Sequence, residues 1–234
     1  MINIESSTSC LKRRRYGVIY ADPPWSFRNW SAKGTGRNAI SHYDCLDFPA
    51  LASLPIAELA ADNCALFLWV TDPLLPRAIE LMEAWGFEYK TVAFYWVKLN
   101  TAAKHPADYF TGLGYWTRAN PEQCLLGTRG KPPRRAKNVK RLIVEKRREH
   151  SRKPECVRER IERLVAGPYL ELFARETKQG WDTWGDQVEL FDRGTVMTRR
   201  QPSRLTDAAA ASSTSSIQTT LDSRSARADV RFRG

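Results

Sequence analysis

The chain predicts an α/β sandwich with a largely parallel sheet, and three observations carry that prediction. Aromatic and β-branched runs alternate with amphipathic helical stretches from residue 16 to about residue 191. One run, Cys64-Ala65-Leu66-Phe67-Leu68-Trp69-Val70, is apolar without a break, as expected of a central strand covered on both faces. Hydrophobic residues make up 42% of the 234, with 8 Trp and 9 Phe, which is enough for a core between a sheet and its helices.

The elements follow in order. Tyr16-Gly17-Val18-Ile19-Tyr20-Ala21 reads as a buried strand and runs directly into Asp22-Pro23-Pro24-Trp25. The stretch 26–43 is long, polar and glycine-bearing, the composition of a lid over a site. After the apolar strand, Thr71-Asp72-Pro73 predicts a helix start: a capping residue, then proline in the first turn. Leu75, Ile79 and Met82 mark its buried face, and Gly86 ends it. Thr91 to Val97 is a strand, Gln123 to Gly127 a shorter one, and Val139 to Val144 a candidate strand with basic residues outward. Pro154 opens a second helix with the stripe Val157, Ile161 and Leu164, stopped by Gly167, and Tyr169 to Ala174 returns as a strand. Trp181 to Gln187 reads as a polar turn. Beyond Phe191 the chain becomes polar, with an Ala-, Ser- and Thr-rich stretch at 208–216. The expectation is a folded domain over 1–191 and a disordered polar tail over 192–234. Ligands of such folds bind beyond the carboxyl ends of the strands, and Asp22 and Arg175 both lie just past such ends.

Composition narrows the partners. Lys and Arg outnumber Asp and Glu by 37 to 26, a net charge of +11, so a polyanion is expected, nucleic acid first. The five cysteines, Cys10, Cys45, Cys64, Cys124 and Cys156, form no CxxC, which suits buried free thiols in a reducing cytosol. His42, His105 and His150 share no metal-ligand spacing, and no zinc site is expected. No run of 18 apolar residues and no signal-peptide pattern is present, so the protein is read as soluble and cytoplasmic.

Four clusters carry chemistry. In Asp22-Pro23-Pro24-Trp25 the prolines make a rigid turn without N–H groups, whose carbonyls are expected to be free to accept beside the Asp22 carboxylate. The Trp25 ring offers a stacking face. An acceptor-rich, aromatic slot suits a planar ring bearing an NH2 group, and so methyl transfer to the exocyclic amine of a nucleobase. Beside Ser151, the cations Arg152 and Lys153 crowd the start of a helix, against its macrodipole by up to about 1 kcal/mol. An anionic or polar ligand would explain them, although Glu155 in the first turn would also neutralise them. Lys131, Arg134, Arg135, Lys137, Lys140, Arg141, Lys146, Arg147 and Arg148 fit phosphate contact. Glu171-Leu172-Phe173-Ala174-Arg175, with Asp186 and Gln187 after it, could hold a ribose and an amino-acid group, though such strands are usually core.

On these motifs the chain resembles the N6-adenine methyltransferase family of the eukaryotic messenger-RNA adenosine methyltransferase catalytic subunit, which has bacterial and phage members. The resemblance runs from about Tyr16 to Leu190. It implies a Rossmann-like S-adenosylmethionine-dependent methyltransferase with permuted motif order, the Asp-Pro-Pro-Trp strand preceding the cofactor strand. It implies Asp22, Pro23, Pro24 and Trp25 as catalytic. Asp22, Lys153, Glu171, Phe173, Arg175, Asp186 and Gln187 are implied at the cofactor. Tyr43, Glu122, Ser151 and Lys153 are implied at the acceptor; Arg134, Arg135, Arg147 and Arg148 are expected on the nucleic acid from the charge of the basic stretch itself. Three departures stand out. Asp186 replaces an Asn, Thr177 and Lys178 replace a His-Asn pair, and the eukaryotic zinc fingers have no counterpart.

The compact architecture resembles that of the family's bacterial and phage members, which usually modify DNA, so the resemblance implies DNA as substrate. RNA remains the alternative, since phosphate contacts do not distinguish the sugars. A non-catalytic binding subunit is disfavoured because Asp22 and Trp25 are both intact. Family members often work as dimers with a paralogue, so the resemblance implies a homodimer or a paralogue heterodimer as the candidate assemblies.

Overall fold

The computed structural model describes residues 14–25, 46–149, 152–185 and 188. Among these, seven strands are formed: β1 (Tyr16–Ala21), β2 (Ala60–Val70), β3 (Glu88–Leu99), β4 (Glu122–Arg129), β5 (Leu142–Lys146), β6 (Tyr169–Leu172) and β7 (Trp181–Trp184). The α-helices are α1 (Phe48–Ala52), α2 (Ile56–Leu59), α3 (Leu75–Ala84) and α4 (Cys156–Leu164). The strands make one sheet in the order β5-β3-β4-β2-β1-β6-β7. Only β4 runs against the others, pairing antiparallel with β2 and β3; the remaining four pairings are parallel. The largely parallel sheet predicted from sequence is therefore present. Its consequence is positional. The carboxyl ends of six strands and the amino end of β4 share one edge, which gathers Asp22, Lys98, Glu122, Arg147 and Phe173 from distant parts of the chain.

Side-chain alternation divides the core in two. Ile19, Leu66, Leu68, Leu125 and Leu170 face one way and pack with Leu51, Leu59, Leu81, Met82 and Trp85 of the α1–α3 side. Val18, Tyr20, Phe67, Trp69, Phe94, Cys124 and Ile143 face the other way, against Val157 and Ile161 of α4. Each fully buried aliphatic side chain stabilises the fold by about 1.5–3 kcal/mol. The indoles buried here find acceptors: Trp85 Nε1 donates to the Leu51 carbonyl at 2.9 Å, and Trp69 Nε1 to the Tyr20 hydroxyl at 2.7 Å.

Several boundaries move. β2 begins at Ala60, before the polar Asp62 and Asn63 that disguise it. β5 lies at Leu142–Lys146 rather than 139–144, where it can pair with Tyr95–Leu99 of β3. The predicted helix at Thr71 starts as a 3-10 turn over Asp72–Leu74, without a side-chain cap, before α3. Within α3 the fully buried residues are Ala78, Leu81 and Met82, while Leu75 and Ile79 are partly buried against them. α4 begins two residues after Pro154 and ends at Leu164, because Val165 turns extended to bridge Arg134. β6 stops at Leu172, where Phe173 takes φ +60°. The polar turn expected at 181–187 is strand β7 over its first four residues, its alternation hidden by Asp182 and Thr183 between buried Trp181 and Trp184. The short α1 and α2 have no clear helical period and were not predicted; Asp47 caps α1 by accepting from Ala50 N at 2.9 Å. Among the described residues no helix is long and apolar enough to cross a membrane.

Candidate active site

β1 delivers Asp22 to the shared edge, and the two prolines fix the turn after it. Contrary to the expectation from sequence, neither proline carbonyl is unused. Pro23 O accepts from Trp25 N at 2.8 Å, and Pro24 O from Leu46 N at 3.1 Å. A carbonyl has two lone pairs, so each keeps capacity for one more donor. Trp25 is tethered as well: its Nε1 donates to the Trp69 carbonyl near the end of β2, at 3.0 Å. The turn is thus braced on the central strand beside it.

Lys153 is the hub of the site. Its ammonium lies 2.8 Å from Asp22 Oδ2 and 3.4 Å from Glu122 Oε2, and 5.5 Å from the centre of the Trp69 ring. Lys98, from the end of β3, takes the other Glu122 oxygen at 2.6 Å. Burial opposes charge on Glu122, but the Lys153 and Lys98 ammonium groups overcome it and hold the carboxyl down at about 2. Burial likewise disfavours the Lys153 cation, and Asp22 and Glu122 outweigh it, so its pKa is raised. Glu122 and Lys153 therefore stay ionised across the physiological range.

On the other side of Asp22 the balance reverses. Arg158, on the buried flank of α4, places Nε 2.8 Å from Glu171 Oε2 and Nη2 2.9 Å from Glu176 Oε1. Arg152 also closes on Glu176. Burial of Glu171 exceeds the pull of Arg158, and its carboxyl is pushed up to about 7. Burial and the neighbouring Glu171 raise the Tyr20 phenol well above its ordinary value, so it stays protonated. Phe173 packs edge-on against Trp184 with ring centres 5.5 Å apart. Asp22, Lys153, Glu171, Phe173, Arg175 and Glu176 line one cleft. The crowded cations before α4 are therefore matched by protein carboxylates, and no missing anion is needed to explain Arg152 and Lys153.

The basic stretch does not form one surface. Lys131 N donates to Asn63 Oδ1 near the start of β2, and Arg135 N to the Leu164 carbonyl at the end of α4. Arg134 bridges Val165, next to the residues that pack on Gly17. Arg134 and Arg135 thus belong to the opposite edge of the sheet from Asp22. Arg147 and Arg148 follow β5 onto the site's edge, and Arg148 lies 3.6 Å from Glu155. Tyr43, Ser151, Asp186 and Gln187, with the stretch 26–43 apart from its neighbours at Trp25 and Leu46, fall outside the described residues. Of the replaced pair, Thr177 is exposed and Lys178 pairs with Glu162 at 3.3 Å. Sequence reasoning did not single out Arg158, Glu176 or Lys98 for the site. Arg158 adjoins an apolar stripe and reads as a solvated helix position; Lys98 reads as the polar end of a strand.

The carboxylate–proline turn thus stands at the edge shared by the strands' carboxyl ends, beside a cleft lined by residues of mixed charge. A model of the MT-A70 family matches residues 16–187, and the chain belongs to that family of methyltransferases. It is 37% identical over 196 residues to the Type II methyltransferase M.MunI of Mycoplasma sp, covering 76% of this chain and 80% of that protein. It is 35% identical over 187 residues to a putative N(6)-adenosine-methyltransferase MT-A70-like protein of Medicago truncatula, covering 77% of this chain and 28% of that one. The human N(6)-adenosine-methyltransferase catalytic subunit METTL3 is 30% identical over 179 residues, 75% of this chain and 28% of that protein. The chain spans about four-fifths of the mycoplasmal relative and about a quarter of the plant and human ones.

The family implies S-adenosylmethionine, and the cleft's residues fit such a group. It carries an amine, a diol, a carboxylate and a flat base. The cleft offers the carboxylates Asp22 and Glu171, the cations Lys153 and Arg175, and the Phe173 ring.

Proposed function

We propose that the chain is a site-specific DNA methyltransferase that modifies the N6 amine of adenine. The observation that carries this reading is the clasp of Lys153 between Asp22 and Glu122, beside a turn rich in acceptors. An adenine amine is a poor nucleophile because its lone pair is delocalised into the ring. Accepting its N–H protons at Asp22 and at the second lone pair of the Pro23 carbonyl draws the nitrogen towards tetrahedral geometry and localises that lone pair. Lys153 keeps the Asp22 carboxylate oriented by taking Oδ2. Glu122, held ionised by two lysines, is placed to accept from the base edge. These are effects of positioning and preset charge, with no covalent intermediate. S-adenosylmethionine, when bound, supplies an electrophilic sulfonium methyl group; Glu171, Phe173 and Arg175 are the residues to hold it.

The similarity to a Type II methyltransferase over about four-fifths of that protein supports a compact DNA enzyme. The relatives named for N(6)-adenosine support the position of the methyl group. We also read the motif order as permuted, with the catalytic strand β1 ahead of the cofactor strand β6. Replacing Asp22→Ala should reduce methyl transfer at least about 1000-fold while DNA affinity stays within about twofold, since the loss is confined to transition-state contacts. Transfer assayed with labelled cofactor and affinity by fluorescence anisotropy would check this. Equal loss of both overturns the catalytic role.

A further inference from the structure

The segment between β3 and β4 takes no part in the chemistry above, yet it is built with care. It leaves β3 beside Lys98 and re-enters β4 at Glu122, the two residues that share an ion pair in the site. Asn120 fastens its root: Oδ1 accepts from Lys98 N at 2.9 Å, and Nδ2 donates to the carbonyls of Lys98 and Phe110. Gly112 and Ala119 pair in both directions above that, at 2.8 and 3.3 Å. The turn is tight. A Cβ on Gly114 would meet Thr117 O at 1.9 Å and Ala119 N at 2.8 Å, both backbone atoms, so only glycine fits. On this rigid tip Trp116 is 100% exposed with φ +66°, and Tyr115 and Leu113 are more than half exposed.

A fully exposed tryptophan in a left-handed conformation on a braced turn gains nothing for the fold. Its surroundings point to a polyanion. The sole carboxylate between residues 100 and 121 is Asp108, and it accepts from Lys104 N and His105 N at 2.8 and 3.1 Å. Exposed Lys104 and Arg118 lie in the same segment. Arg147 packs its guanidinium 3.6 Å over the Phe110 ring at the base. Aromatic rings interleaved with cations, without free carboxylates, match stacked bases between phosphates. From Asn120 to Trp116 the chain reaches at most about 14 Å, roughly four base steps of DNA.

We propose that this hairpin is the duplex-opening contact. Trp116 and Tyr115 stack into the helix beside the target adenine, while Arg118 and Arg147 hold the flanking phosphates. An enzyme that modifies an exocyclic amine within a duplex must extrude the base, and a stacking wedge fills the gap it leaves. The inference rests on the DNA reading given above.

The test compares wild type, Trp116→Ala and Trp116→Phe on one adenine-containing sequence, as duplex and as single strand, by kcat/KM for methyl transfer, together with cofactor affinity and solution mass. Trp116→Ala should lower the duplex value about tenfold to hundredfold and the single-strand value by no more than about threefold, with cofactor affinity unchanged. Trp116→Phe should recover most of the loss. An unchanged duplex value, or equal loss on both forms, overturns the wedge. A loss accompanied by dissociation of a dimer overturns it too and assigns the tip to a second copy. Wild-type protein that methylates neither DNA form refutes the DNA reading itself, an outcome distinct from a wild type active on duplex and a variant that matches it.

Discussion

The two halves of the cleft are built from the same materials and behave oppositely. Around Asp22 and Glu122, which face Lys153 and Lys98, charge outweighs burial: Glu122 is held at about 2. Around Glu171 and Glu176, which face Arg158 and Arg152, burial outweighs charge: Glu171 is pushed up to about 7. Glu122 touches two separate ammonium groups, one per oxygen. Glu171 shares Arg158 with Glu176, whose negative charge itself raises Glu171. Counting cations per carboxylate explains the difference. One half is a fixed electrostatic frame, and the other titrates near neutrality.

The sharpest way to break this contrast is Lys153→Met. It removes the cation that Asp22 and Glu122 share and leaves Glu122 with Lys98 as its remaining ammonium partner. Breaking a buried pair in this way should cost about 3–5 kcal/mol of stability at pH 7, read by urea denaturation. The wild-type frame also predicts a pH window. Glu122 has a folded pKa below its ordinary 4.5, so its contribution is present above 4.5 and is lost as pH falls towards 2. That acid loss should shrink in the variant, and an unchanged acid profile would contradict the frame.

A smaller effect sharpens the other half. Glu171 has a folded pKa above 4.5, so the folded protein keeps its proton longer and this group's contribution to stability falls as pH rises from 4.5 to 7. A protonated Glu171 accepts hydrogen bonds poorly. Cofactor affinity by calorimetry should therefore weaken about threefold to tenfold between pH 8 and pH 6, and Glu171→Gln should flatten that dependence. A variant that keeps the same slope would move the titration elsewhere.

The smallest effect separates the two edges of the sheet. Arg134→Ala with Arg135→Ala should leave DNA affinity within about twofold. Arg147→Ala with Arg148→Ala should reduce the slope of log affinity against log salt by about 2. The reverse result would place the nucleic acid on the far edge.

Much of this was legible in the chain. The strand into Asp22-Pro23-Pro24-Trp25, the apolar β2 and the alternation of elements are local patterns, and local patterns survive into the fold. Ion pairing was not legible. Lys153 and Asp22 are 131 residues apart, and only the strand order brings them together. The same order divides the basic stretch, since the chain from Arg134 to Arg147 crosses from one sheet edge to the other. β7 was missed because an edge strand needs to bury only its Trp181 and Trp184. Trp116 was passed over because exposure leaves no periodic signature.

The most direct test of the central claim is product identification. The protein is incubated with labelled S-adenosylmethionine and one sequence supplied as single- and double-stranded DNA and RNA, and the digested nucleosides are resolved by mass spectrometry. The account predicts N6-methyldeoxyadenosine from DNA. A methyl group found only in adenosine from RNA, or on any base atom other than the N6 of adenine, would contradict it.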